Sequence, residues 1–259
     1  MKIGLLADLH YSSADLDQSE RRSAEGLTRL AEFIKATEGC DFLLNLGDIV
    51  NGSGDRELDR ADLRRVLEAL DEQPLTCYHV IGNHDLWALP REELVAELGI
   101  PSGDYSFKRG DVRFIVLDAN FAPDGSSPSN WTVAHVSESR LVWLKRVLER
   151  GDFKWAVVIC HHCLDDFGTA ERPDEYAPDN ADEVRAVIEA SGKVPLVLTG
   201  HYHKGRLRPI SGVMYYAQPG ICEGDEASFG ILELDPEKRK CGVEPHGLKV
   251  APRLDQVTL

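Results

Sequence analysis

Long apolar runs are missing from this sequence. No stretch of its 259 residues approaches the ~20 apolar residues needed to span a membrane as a helix. The first residues do not read as a leader either. Lys2 is followed by only five residues, "IGLLA", before Asp8, short of the ~7–15-residue apolar core of a signal peptide. The chain is therefore expected to be cytoplasmic, with no membrane partner. Basic residues are in deficit: 29 Lys and Arg stand against 44 Asp and Glu, a net charge of −15. Long nucleic acids are held by cationic side chains that neutralise phosphates, so this balance argues against them as partners. A small phosphate substrate remains compatible, because bound cations invert the local field. The six cysteines are scattered and do not form the dense framework of a small secreted domain. Cys160 and Cys163 do make a C-x-x-C, which reads either as a redox pair or as the end of a buried strand and the start of a loop. Internal repeats and low-complexity linkers are absent as well.

What is present is an ordinary globular composition, 42% hydrophobic and 28% charged. Short Val/Ile/Leu-rich runs at 2–7, 41–46, 75–81, 112–118, 155–160 and 194–199 read as strands buried on both faces. Amphipathic helices lie between them. Leu63, Val66, Leu67 and Leu70 form one apolar stripe, and Leu141, Leu144 and Leu148 another. Val184, Val187 and Ile188 form a third, behind a capping box expected from Asn180 to Glu183 and ahead of a stop at Gly192. Beyond residue 200 the texture changes to short strands, "RLRPI", "GVMYYAQ" and "SFGILEL". The pattern predicts an α/β sandwich in a single domain, 1–259. Two segments, 119–136 and 164–179, read as long irregular loops of the kind that usually carry function. The second is acidic: it is either a solvated face or a lid over a cationic site.

Chemistry-bearing residues follow the strands. Asp8 and His10 come after "IGLLA", Gly47-Asp48 after "FLLNL", and Gly82-Asn83-His84-Asp85 after "YHVI". His161 and His162 come after "WAVVIC", and Gly200-His201-Tyr202-His203 after "PLVLT". Ligands of open α/β sheets bind at the carboxyl ends of strands. A lone D-x-H or G-D is common by chance. Five strands in succession delivering carboxylate, amide or imidazole to one edge point to a metal centre.

The series D-x-H, G-D-x-x-D, G-N-H-[DE], His and G-H-x-H resembles the calcineurin-like metallophosphoesterase superfamily. The match spans positions 8 to 203. It departs from the pattern at Asn51, where the superfamily has a second Asp, and at "CHHCL", where a proline often follows the histidine pair. The resemblance implies a four-layer α/β/β/α sandwich and two divalent metal ions, Mn²⁺ or Fe with Zn²⁺ compatible. It implies Asp8, His10, Asp48 and His203 as ligands of one metal and Asp48, Asn83, His161 and His201 of the other, with Asp48 bridging. At the fourth motif the choice lies between His161 and His162, and His161, directly after the strand, is expected. His84 is implied as the general acid facing the leaving oxygen, with Asp85 supporting it. Two metals ~3.5–4 Å apart activate a water and steady the charge of an in-line displacement on phosphorus.

The stretches "RRSAEGLTRLAEFI", "SPSNWTVAHVSESRLVWLKRVL" and "YYAQPGICEGDEASFGILEL" are similar to the manganese-dependent ADP-ribose/CDP-alcohol diphosphatase branch. That implies a small, nucleotide-type phosphorylated substrate. The alternatives are a cyclic-nucleotide phosphodiesterase, a general phosphomonoesterase, or a metal-binding scaffold without turnover. Intact His84 and Asp85 argue against the scaffold. Phe121 and Trp131 in one loop, and Cys222 and Phe229 in the segment after the last motif, are candidates for a base pocket or for ordinary packing.

Overall fold

Alternation along the strands decides how the layers stack. In β1 (Lys2–Leu6), Ile3 and Leu5 point into one apolar cluster and Leu6 into another. In β5 (Val112–Leu117), Phe114 and Val116 join the first cluster, while Ile115 and Leu117 turn to a third. The same division holds for Val157 and Ile159 against Val158 in β6 (Trp155–Cys160), and for Leu196 and Leu198 against Val197 in β7 (Leu196–Thr199). Each strand therefore has one face in a central core between two sheets and one under a helix layer, which is why these runs carry no polar alternation. The computed structural model describes residues 1–14, 21–169, 173–238, 240–247 and, as backbone, 254–258.

The first sheet contains β1, β2 (Phe42–Asn45), β3 (Cys77–His79), β10 (Phe229–Asp235), β11 (Lys240–His246) and β12 (Leu254–Thr258), in the order β12-β11-β10-β1-β2-β3. The second runs β4-β5-β6-β7-β9-β8, with β4 at Tyr105–Arg109, β8 at Arg206–Ile210 and β9 at Val213–Ala217. α1 (Gly26–Ala36) and α2 (Arg56–Asp71) cover the first sheet with Leu30, Phe33, Leu63, Val66 and Leu70. α5 (Glu138–Leu148) and α6 (Ala181–Ser191) cover the second with Leu144, Leu148, Val184 and Ile188. Between these pairs lie the short helices α3 (Asn83–Ala88) and α4 (Arg91–Glu97). The result is the expected four-layer α/β/β/α sandwich. Among the described residues no helix is long and apolar enough to cross a membrane.

β1, β2 and β3 run parallel, as do β5, β6 and β7. Their carboxyl ends therefore emerge along one edge in both sheets, where the motif residues lie.

Several local expectations change. The run 75–81 is a strand only over Cys77–His79, because the backbone after Val80 turns toward Gly82. The capping box at α6 does not form. Asn180 instead brackets Val136, accepting from its N–H at 3.0 Å and donating to its carbonyl at 2.8 Å, which ties segment 119–136 to the helix start. Gly192 does end α6, in the left-handed conformation with φ 61°. Segment 119–136 is irregular as expected, and so are the described parts of 164–179, of which 170–172 lie outside the described residues. β4, β11 and β12 were not anticipated.

Candidate metal centre

The backbone at the strand ends is bent to aim side chains. Asp8, His10, Asp48 and His201 have φ of 54°, 47°, 55° and 64°, four of the six non-glycine positive-φ residues among those described. That conformation costs an L-residue roughly 1–2 kcal/mol. Its clustering here marks a site whose geometry is imposed by the surrounding fold. The turns interlock through backbone bonds from Asp8 N–H to Gly47 O (3.0 Å), His10 N–H to Asp48 O (2.9 Å) and Gly200 N–H to His161 O (3.0 Å). Gly82 is required: a Cβ there would run into Asp48 Oδ1.

Around this frame the predicted ligands converge. Asp48 Oδ2 lies 3.4 Å from His10 Nε2 and 3.3 Å from His161 Nε2, between the two expected ligand sets. His10 Nε2 and His203 Nε2 face each other at 3.1 Å, and His203 Nε2 is 3.6 Å from Asp8 Oδ1. On the other side His161 Nε2 is 3.1 Å from Asn83 Oδ1, and the nitrogens of His161 and His201 share a cluster with Asp48. The sequence-predicted residues Asp8, His10, Asp48, Asn83, His161, His201 and His203 are all brought together.

Outer hydrogen bonds set the tautomers. His161 Nδ1–H donates to Leu46 O at 2.8 Å and His203 Nδ1–H to Glu223 Oε1 at 2.7 Å, so both Nε2 atoms are turned toward the carboxylates. His201 N–H donates to Asp8 Oδ1 at 3.1 Å, while His201 Nε2 is buried without a partner. An orphaned imidazole nitrogen, converging Nε2 atoms and two buried carboxylates form a mixed oxygen–nitrogen donor set suited to Mn²⁺, Fe or Zn²⁺. The residues fit two divalent cations.

Electrostatics of the protein alone agree. Burial pushes the Asp8 carboxyl up to about 6, against the pull of His203 and His161. Burial also acts to raise Asp48, but His161, His84 and His10 hold it well below the usual carboxylate range. Burial acts to lower His161, yet Asp48, Asp8 and the Leu46 carbonyl lift it to about 9. A cation bound at His161 would compete with the proton that these carboxylates favour there.

His84 and Asp85 take different positions. His84 Nδ1–H donates to Asn51 O at 2.8 Å, leaving Nε2 toward the cleft. Burial lowers its pKa, as does Arg21, against the opposing charge of Asp48. Asp85 makes no hydrogen bond to the His84 ring among the described residues. Its carboxylate accepts backbone N–H groups from Asp48 (3.0 Å), Ile49 (2.8 Å), Val50 (3.2 Å) and Gly82 (2.9 Å). Its support is thus indirect: it fixes the turn that carries Asp48 and the Asn51 carbonyl. His162 is buried with neither ring nitrogen bonded, and burial drops it to about 3. His161, not His162, faces Asp48 and Asn83.

A cavity of about 760 Å³ opens over Asp48, Asn83, His84, His201 and His203. Arg21, Lys204 and Glu223 give its wall charge, and Trp87, Trp131, Tyr176 and Tyr202 give it rings. Of the aromatics considered from sequence, Trp131 alone lines it. Phe121 is clamped between the guanidiniums of Arg91 and Arg140, at 4.1 and 3.7 Å from the ring centre. Phe229 packs in the core on Phe33 and His246. Cys222 is buried with Sγ 3.8 Å from His203 Nδ1. Arg21, Trp87, Tyr176 and Tyr202 were missed because no motif spacing flags them. The C-x-x-C does not have the environment of a reactive pair: both thiols are buried and pushed up, Cys163 to about 12, so neither is a ready thiolate.

A four-layer sandwich with this edge defines a metal-dependent phosphoester hydrolase. Residues 1–205 match the family model described as calcineurin-like phosphoesterase, and the chain belongs to that family. A manganese-dependent ADP-ribose/CDP-alcohol diphosphatase of Arabidopsis thaliana is 28% identical over 285 residues, covering 91% of each chain. A 3′,5′-cyclic-nucleotide phosphodiesterase of Nostoc sp. is 26% identical, covering 91% of this chain and 85% of the relative. A dimetal phosphatase of Danio rerio shares the fold with a TM-score of 0.80 at 18% identity, covering 99% of this chain and 98% of that one.

Proposed function

We propose that this enzyme hydrolyses phosphodiester or diphosphate bonds of small nucleotide-type molecules at a two-metal centre. One observation carries the reading: a single Asp48 oxygen stands within 3.4 Å of the ligand nitrogen of His10 and within 3.3 Å of that of His161. Only a carboxylate can face two cations at once while offsetting their charge. Asp8, His10, Asp48 and His203 would hold one cation, and Asp48, Asn83, His161 and His201 the other. The names of the relatives favour Mn²⁺. Two bound divalent cations would supply charge stabilisation at the phosphoryl oxygens and an acidified water.

The remaining work belongs to side chains. His84, its Nδ1–H held by Asn51 O, presents Nε2 to the cleft and, protonated there as imidazolium, delivers that proton to the leaving oxygen. Burial weakens its hold on that proton. Asp85 keeps the Asp48 turn rigid. Trp131, Tyr176 and Tyr202 line one wall and are suited to stack a base. The domain is read as 1–259, because β10, beyond the family match, pairs with β1 and completes the first sheet.

The test is a panel with Mn²⁺-loaded protein: ADP-ribose, CDP-choline, cyclic AMP and p-nitrophenyl phosphate. Stacking is worth roughly 1–3 kcal/mol per base, so the best nucleotide should exceed the plain monoester more than about tenfold in kcat/KM. If the monoester is turned over best, the nucleotide reading fails.

A further inference from the structure

We infer that Arg21 is the receptor for the leaving phosphate of a diphosphate substrate, and so selects diphosphates over simple diesters. This rests on the reading just given, and deepens it.

Arg21 stands in the cavity wall, half-buried. Its Nη1 donates to Asn51 Oδ1 at 2.9 Å and lies 3.4 Å from His84 Nε2 and 3.5 Å from His10 Nδ1. Among the described residues it has no carboxylate ion pair. Its one strong partner, Asn51, is a neutral amide at the position where the motif has a second aspartate. Glu223, whose carboxyl Arg21 also helps to lower, is committed to His203 Nδ1 at 2.7 Å. A guanidinium is always charged and offers a planar fork of donors. Held in a cleft with no carboxylate paired to it among the described residues, it forms an anion receptor.

Its place in the cleft says which anion. The general acid must face the oxygen that departs, and Arg21 is beside His84 Nε2, at the leaving-group end. Beside His201 lie the packed rings of Trp131, Tyr176 and Tyr202, with Tyr176 and Trp131 centred 5.5 and 6.1 Å from His201. The cavity thus has three aromatic rings on the His201 side and, on the His84 side, the Arg21 guanidinium beside the single ring of Trp87, centred 4.4 Å from His84. A nucleoside whose phosphorus is attacked fits the first, and a departing anionic phosphate fits the second. In the reaction a water gives up one proton to the solvent, its oxygen bonds to the attacked phosphorus, and the bridging P–O bond breaks. The bridging oxygen leaves on the second phosphate and takes the proton from His84 Nε2. Arg21 meets the charge that this phosphate gains. An aryl diester has no second phosphate for it to hold.

Compare Arg21→Met, Arg21→Lys and the wild type on CDP-choline and on bis(p-nitrophenyl) phosphate, all loaded with Mn²⁺ and with bound metal measured. A hydrogen bond between charged groups predicts a loss for Arg21→Met of roughly 10- to 100-fold in kcat/KM on CDP-choline. On the aryl diester the loss should stay below about threefold, with unchanged metal content. Arg21→Lys should keep more of the CDP-choline activity than Arg21→Met, because the charge survives. Hydrolysis in labelled water should place the heavy oxygen in CMP and not in phosphocholine. Equal losses on both substrates, or label in phosphocholine, overturn the assignment. A wild type that cleaves the aryl diester but no nucleotide diphosphate overturns the underlying reading as well.

Discussion

Asp85→Asn alters a side chain whose hydrogen bonds, among the described residues, all go to backbone N–H groups, and it should still disable the centre. In the wild type Oδ1 accepts from Ile49 and Val50, and Oδ2 from Asp48 and Gly82. An amide can keep one oxygen for two of these N–H groups. Its nitrogen then faces the other two, donor against donor, at full burial. Two charge-assisted bonds at roughly 1.5–3 kcal/mol each put the loss near 3–6 kcal/mol. That is a large part of the ~5–15 kcal/mol that holds a typical domain. Burial and the charge of Asp48 push the Asp85 carboxyl up to about 7, so the comparison belongs well above neutral pH, where the carboxyl is ionised. Urea unfolding of metal-free wild type and variant gives the difference directly. Metal content should fall with it, because residues 48–50 form the turn that Asp85 ties down. A variant as stable as wild type to within about 0.5 kcal/mol, with its metals bound, would refute this account of the turn.

Two further outcomes follow. His84→Ala should keep its metals and lose roughly 10²–10⁴-fold in turnover of substrates with poor leaving groups. It should lose much less with p-nitrophenolate, and equal losses would remove the acid role. His79, in β3, is held at about 4 by burial instead of 6.5. A histidine with a depressed folded pKa contributes stability above 6.5 that is lost as pH falls toward 4, about 3 kcal/mol in all. Between those limits, urea unfolding should show wild type losing stability more steeply than His79→Asn, and parallel curves would contradict it.

How much of this was readable in the sequence depended on whether residues carried a pattern. The buried parallel strands were legible because both faces are covered, leaving unbroken apolar runs. The expected ligands were legible because they follow strand ends in recognisable motif spacings. β4 was not: Tyr105 and Phe107 alternate with Ser106 and Lys108 on a short edge strand, a weak signal in isolation. Arg21 was hidden because its neighbours in space, Asn51 and His84, lie 30 and 63 residues away. Phe121 was left open between a base pocket and ordinary packing, because a loop aromatic near a site fits either. Two arginines from α4 and α5 claim its faces instead. The Asn180 box failed for a similar reason: tertiary partners at Val136 outcompeted the local cap.

The bridging role of Asp48 is the central claim, and counting metal in purified Asp48→Asn tests it most directly. Asp48 Oδ1 also accepts the His84 N–H at 2.8 Å, a bond an amide oxygen can keep, so the fold has reason to survive the change. Both cation positions should lose occupancy together when the variant is dialysed against Mn²⁺ and analysed by elemental mass spectrometry. Two full equivalents bound per chain, or one position filled at wild-type affinity while the other is lost, would contradict it.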